Sequence, residues 1–184
     1  MRIFLAITVP DEVKANLAAA VKRLSPIAPD ITWYKRDQFH LTLAFLGEAS
    51  PAILPHVTAA TERVCAKHAV FACRAYGFGF FGTKRNPKTL WAGVDLTPEL
   101  DGLRDALWEE LEKFGFEGDK TDFRPHITLG KSREATRNHP VIEAMDEDEN
   151  IAFGEWDVTR VTLCESRTSP HGMIYRDLAN TALA

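Results

Sequence analysis

Apolar and polar positions follow two rhythms along this 184-residue chain. "RIFLAITV", residues 2–9, is a β-rich run closed by Pro10, where a helix can start with proline in its first turn. Val13, Leu17, Val21 and Leu24 then recur at helical spacing. "ITWYKRDQFHLTLAFLG" predicts a strand, a turn around Lys35–Gln38 and a second strand ending at Gly47. Pro51 opens another helix through Ile53, Val57, Ala60 and Val64. "VFACRAYGFGFFG" predicts a strand that ends in a glycine-rich loop, "TKRNPK" (83–88) a basic loop, and "TLWAGVDL" a strand.

The order then starts again. "TPELDGLRDALWEELEKFG" is a helix with Leu100, Leu103, Leu107, Leu111 and Phe114 on one face, stopped by Gly115. A loop leads to the strand "PHITLG". The polar segment from Ser132 to Asn150 predicts a broken or short helix ending in an acidic loop, and its role stays open. "WDVTRVTLCES" and "MIYRDLANTAL" close the chain as strands or strand plus turn. Aligning "AITVPDEV" with "GVDLTPEL" pairs Val13 with Leu100, 87 residues on, while His40 and His126 are 86 apart. Such agreement implies an internal duplication. Two copies favour paired, pseudo-symmetric lobes over a solenoid.

The repeated feature is His-x-Thr-Leu, in "FHLTLAFLGE" and "RPHITLGK". Alternate side chains of a strand point to opposite faces. His40 and Thr42 therefore share one face, with Leu41 and Leu43 on the other. His126 and Thr128 repeat this against Ile127 and Leu129. Chance would supply HxTL roughly 0.04 times in this length, so two copies at matched positions are a signal and one would not be. Two imidazoles facing one cavity suit acid–base work near neutral pH. Two hydroxyls beside them suit the oxygens of a phosphodiester.

Composition narrows the reading. Apolar content of 45% and charged content of 26% describe an ordinary globule, and the length suits one domain spanning residues 1–184. A net charge of −4 argues against a general nucleic-acid coat protein but permits a local basic site. Cys65, Cys73 and Cys164 lack CxxC spacing and leave one over if paired, which predicts reduced thiols and a cytoplasmic location. The N-terminal apolar run is too short for a membrane span and lacks a cleavage site, so it reads as a strand.

The chain resembles the 2H phosphoesterase superfamily, and within it the RNA 2′,3′-cyclic phosphodiesterases, also called 2′-5′ RNA ligases. The residues that carry the resemblance are "MRIFLAITVPDEV", Trp33 before "HLTLAFLGE", "LWAGV", "FRPHITLGK" and "VTLCESRTSPHGMIY". It implies an α+β fold of two pseudo-symmetric lobes, each an antiparallel sheet with outer helices, around a central cleft. It implies metal-independent, cofactor-free hydrolysis of RNA 2′,3′-cyclic phosphate ends, or of small cyclic nucleotides, to 2′-phosphomonoesters by a monomer. His40 would be the proton donor and His126 the proton acceptor, with Thr42, Thr128 and Lys131 binding the phosphate. Lys131 stands where the family commonly has arginine, and a lysine lacks the bidentate fork.

Other readings remain in view. Either histidine alone would read as a structural residue. A metal site is the rival use of both, but neither lies in HExxH spacing and no third ligand shares the motif. His56, His68, His139 and His171 read as surface residues. Trp33 and Trp91 suit either core packing or stacking on a terminal base. Arg85, in the loop with Lys84 and Lys88, is either solvated or a contact for RNA phosphates. Arg124 either steers phosphate or caps its strand. The same site can run the reverse 2′-5′ ligation. A further alternative is an RNA-end binding module with little turnover.

Overall fold

The computed structural model describes residues 1–118, 122–132, 139–170 and 172–184. Its order is β1 (Arg2–Thr8), α1 (Asp11–Leu24), β2 (Ile31–Trp33), β3 (His40–Glu48), α2 (Leu54–Cys65), β4 (Phe71–Thr83) and β5 (Asn86–Val94). Then come α3 (Pro98–Glu112), β6 (His126–Ser132), α4 (His139–Glu147), β7 (Ala152–Val158), β8 (Arg160–Ser169) and β9 (Gly172–Ala182). The strands pair in the order β7-β4-β5-β6-β3-β1-β8-β9, with β2 also on β6, and every pairing is antiparallel.

The two motif strands, β3 and β6, are innermost and meet at Leu41 opposite Ile127. Moving outward, β1 beside β3 corresponds to β5 beside β6, as the duplication requires. Each lobe is thus a four-stranded antiparallel half, one of them carrying β2 as well.

Two of the helices reach across to the other half. Helix α1 follows β1 yet packs on β7 of the other lobe, where Asn16 Nδ2 donates to the Phe153 carbonyl at 2.8 Å. Its buried stripe is Val13, Leu17, Ala20 and Leu24. Helix α3 follows β5 yet packs on α2 and β3. It is started by Thr97, whose hydroxyl accepts from the Leu100 amide at 3.2 Å, and by Pro98 in its first turn. Leu100, Leu103, Leu107 and Leu111 are at most 1% exposed, as the period predicts. Leu41, Leu43, Ile127 and Leu129 are buried beneath the helices, each contributing about 1.5–3 kcal/mol. That burial holds the opposite, polar face of both motif strands in place.

Three local expectations change. The glycine-rich stretch before Thr83 is strand, not loop. Gly79 lies beneath the Trp91 ring, where a Cβ would stand 2.0 Å from Cη2, so glycine there serves close approach. Strand β5 already begins at Asn86, so the basic segment is the tip of a long hairpin. "WDVTRVTLCES" divides at Thr159 into β7 and β8, which lie in different lobes. The polar stretch after Ser132 does contain a helix, α4, and its Val141, Ile142 and Met145 bury against Leu24, Ala28, Ile31 and Leu90. Residues 133–138 lie outside the described set.

Candidate active site

Strict alternation is broken at the same place in β3 and β6, and β3 is broken once more, at Leu46. Opposite β3, Leu5 faces Ala44 and Ala6 faces Thr42, leaving Leu43 as an extra residue. Opposite β6, Leu90 faces Gly130 and Trp91 faces Thr128, leaving Leu129 extra. Both bulges fall on the leucine of His-x-Thr-Leu. A bulge shifts the side-chain phase by one. Ala44 and Gly130 therefore stay inside, and the next residues, Phe45 and Lys131, come out on the polar face. Lys131 lies close enough for its charge to act on both histidines.

The histidines are held alike. His40 Nδ1 donates to the Gln38 carbonyl at 2.7 Å, and His126 Nδ1 donates to the Arg124 carbonyl at 2.7 Å. A carbonyl only accepts, so both bonds place a proton on Nδ1 and leave Nε2 for chemistry. A neutral ring then offers a lone pair at Nε2, and a charged ring offers a proton from the same atom. Both rings are half-buried. Burial pushes the His40 pKa down to about 4, opposed by its bond to Gln38 and reinforced by the positive charges of His126, Lys131 and Lys14. Burial also lowers that of His126, against its bond to Arg124 and with help from Lys131. Both are therefore neutral at pH 7.

Their flanks partly match. Phe4 of β1 lies 4.8 Å from the His40 ring, and Trp91 of β5 lies 5.8 Å from His126. These two aromatics are themselves 87 positions apart, the interval of the duplication. The second neighbours differ. Tyr175 of β9 meets His40 edge-on at 4.8 Å, whereas Phe81 of β4 meets His126 edge-on at 4.9 Å.

Thr42 and Thr128 are half-buried on the same face as the histidines. Trp91 is a wall beside His126, while Trp33 packs in the apolar interior and its indole donates to the Ala28 carbonyl at 3.1 Å. Arg124 has an exposed side chain and acts on His126 through its carbonyl. Arg85 is exposed at the hairpin tip, where Lys84 pairs with Asp146 at 3.4 Å. His56 is exposed and His68 half-buried, bonded to the Val64 carbonyl; the His139 side chain and His171 lie outside the described set.

Sequence reasoning gave no role to Gln38, Tyr34, Tyr175, Phe45 or Arg2. Phe45, on β3, is 48% exposed, with the Arg2 guanidinium 5.1 Å above its ring. An aromatic at the position matching Lys131 was the available signal, readable only once the bulge is known. The three cysteines are buried and unpaired. Among the described residues no three His, Cys, Asp or Glu side chains converge as a metal cluster, and no described helix is long and apolar enough to cross a membrane.

The chain and its fold are similar to known proteins. The sequence model of the 2′-5′ RNA ligase superfamily matches residues 8–170. An RNA 2′,3′-cyclic phosphodiesterase of Archaeoglobus fulgidus is 31% identical over 178 residues, covering 97% of this chain and 98% of its own. The crystal structure of TT0787 of Thermus thermophilus superposes with a TM-score of 0.84 at 29% identity, over 100% of this chain and 98% of that one. E. coli LigT complexed with 3′-AMP gives 0.79 at 26% identity, over 99% and 97%.

Proposed function

The chain belongs to the 2′-5′ RNA ligase superfamily, and from that premise we propose that it hydrolyses RNA 2′,3′-cyclic phosphate ends to 2′-phosphomonoesters without a metal. The observation that carries the reading is the matched pair of imidazoles, each bonded at Nδ1 to the carbonyl two residues before it. Neutral His126 takes a proton from water at Nε2 as the water oxygen bonds to phosphorus. The P–O3′ bond breaks, and His40 delivers a proton from its own Nε2 to the departing O3′. The phosphate stays on O2′. Each role is worth about 10²–10⁴-fold in rate.

His40 must be charged before it can donate, although it is neutral in the free protein. The negative charge of the bound phosphodiester supplies the difference, because an opposite charge within a few ångströms raises an imidazole pKa. Thr42 and Thr128 hold the non-bridging oxygens, each such bond worth about 1.5–3 kcal/mol. Lys131 adds a positive charge that favours the anion and, without it, disfavours protonated histidine. Phe45 offers an open ring for a nucleobase, and stacking of this kind is worth about 1–3 kcal/mol. Ligation by reversal uses the same groups. Water outcompetes a 5′-hydroxyl unless the two ends are held together.

The test is turnover of an RNA ending in a 2′,3′-cyclic phosphate in the presence of EDTA, with His40→Ala and His126→Ala alongside. The expected result is a 2′-phosphate product, made in chelator and lost in both variants. Activity abolished by EDTA would overturn metal independence. Tight RNA binding without turnover of any cyclic phosphate would replace the enzyme with a binding module.

A further inference from the structure

His40 is tied to β9 by two separate links that His126 does not share among the described residues. The Gln38 carbonyl accepts from His40 Nδ1, while the Gln38 side-chain amide donates to the Met173 carbonyl at 2.7 Å. Two residues beyond Met173, the Tyr175 ring meets His40 edge-on and Phe4 at 5.4 Å, so His40 is enclosed on two sides. Tyr34 lies near enough to Tyr175 to help raise the pKa of its phenol. Tyr34 belongs to the other lobe, since its amide donates to the Leu129 carbonyl of β6 at 2.8 Å. The His126 strand, Tyr34, Tyr175 and the His40 ring thus follow one another from lobe to lobe. On the His126 side, Phe81 and Trp91 are hydrocarbon and indole neighbours from the adjacent hairpin.

We propose that Tyr175, packed edge-on against His40 and anchored across the lobes by a bond from its hydroxyl to Tyr34, is a positioning residue that fixes the tilt of the His40 ring and keeps water from it. The proposal deepens the functional reading above and rests on it for the acid role of His40. A base that activates water must admit water, whereas an acid aimed at a leaving oxygen gains from a fixed ring shielded from bulk exchange. The charged and titratable groups facing His40 are His126 and Lys131 from β6 and Lys14 from α1. Around Tyr175 they are Tyr34, Arg2 from β1 and Cys164 from β8. Burial and Tyr34 raise the Tyr175 pKa, so its hydroxyl remains protonated throughout the range in which histidine titrates.

The experiment is a ring-proton NMR titration of His40 and His126 in the wild-type chain, Tyr175→Ala, Tyr175→Phe and Tyr34→Phe, with turnover measured on the same samples. In Tyr175→Ala the His40 midpoint should rise from about 4 by roughly one unit as water reaches the ring, while that of His126 stays in place. The two Phe variants preserve the rings and should each lower kcat by roughly tenfold with KM unchanged. Tyr34→Phe combined with Tyr175→Phe should be no slower than either alone, because one bond is lost in each case. Equal shifts at both histidines, an unmoved His40, or multiplicative losses in the double variant would overturn the proposal. The titration needs no substrate, so an unmoved His40 refutes the positioning role even where hydrolysis is intact. A rise confined to His40 in a protein without turnover supports positioning and refutes the hydrolase.

Discussion

The His40 half and the His126 half share a framework and differ in what surrounds it. Each has a histidine braced by the carbonyl two residues back, a threonine two residues on, a bulge at the following leucine and an aromatic from the neighbouring strand. Beyond that frame they diverge. Position 131 is a lysine in one half, and its counterpart, Phe45, is an exposed aromatic beneath Arg2 in the other. His40 is walled by Tyr175 and depressed to a pKa of about 4; His126 lies against Phe81 and Trp91. Backbone symmetry places two equivalent nitrogens, and side-chain asymmetry gives them different surroundings.

The sharpest way to break that comparison is to remove one histidine at a time. His40→Ala and His126→Ala should each lose about 10²–10⁴-fold in kcat. They should part company on a diester with a nitrophenolate leaving group, which departs without a proton: His40→Ala recovers most of its rate there and His126→Ala does not. Equal recovery in a steady-state assay would mean that the halves are interchangeable.

The next effect is on stability. The folded His40 pKa lies below its unfolded value near 6.5, so the unfolded chain binds more protons between those values. Stability is fully present above pH 6.5 and is lost as pH falls from 6.5 to about 4, by on the order of 3 kcal/mol. Urea midpoints across this window should slope steeply for the wild type and more weakly for His40→Gln. His126→Gln should remove a smaller part of the slope. Thr42→Ala and Thr128→Ala come next, each lowering kcat/KM by about 10–100-fold if both hydroxyls grip the phosphate. A loss from one alone would give the grip to a single half. The smallest change expected is in Lys131→Met. That variant should raise the titration midpoints of both histidines and increase KM several-fold, with Lys131→Arg restoring binding.

The parts of this site that sequence made legible are those governed by periodicity. Alternation placed His40, Thr42, His126 and Thr128 on one face, and the burial of Leu41, Leu43, Ile127 and Leu129 agrees. The bulges left no mark, because leucine at the extra position is apolar whichever phase the strand keeps. Lys131 therefore reaches the polar face despite lying an odd number of residues from His126. Glycine misled at Gly79, where the missing Cβ makes room for Trp91 instead of a loop. The division of "WDVTRVTLCES" at Thr159 has no glycine or proline to announce it, since the break is set by which lobe each half-segment pairs with. Tyr175 and Tyr34 are 141 positions apart, and nothing local connects them.

The strand order also bears on how the chain is made. β1 precedes every other element in synthesis, yet it sits between β3 and β8, and α1 rests on β7. A ribosome therefore releases β1 and α1 long before the strands that cover them exist, and the nascent lobe carries an open, apolar edge through most of translation. Such an edge invites pairing with other chains. The interlocked fold that sets the two motif strands side by side thus leaves one edge of β1 without its partner until β8 arrives.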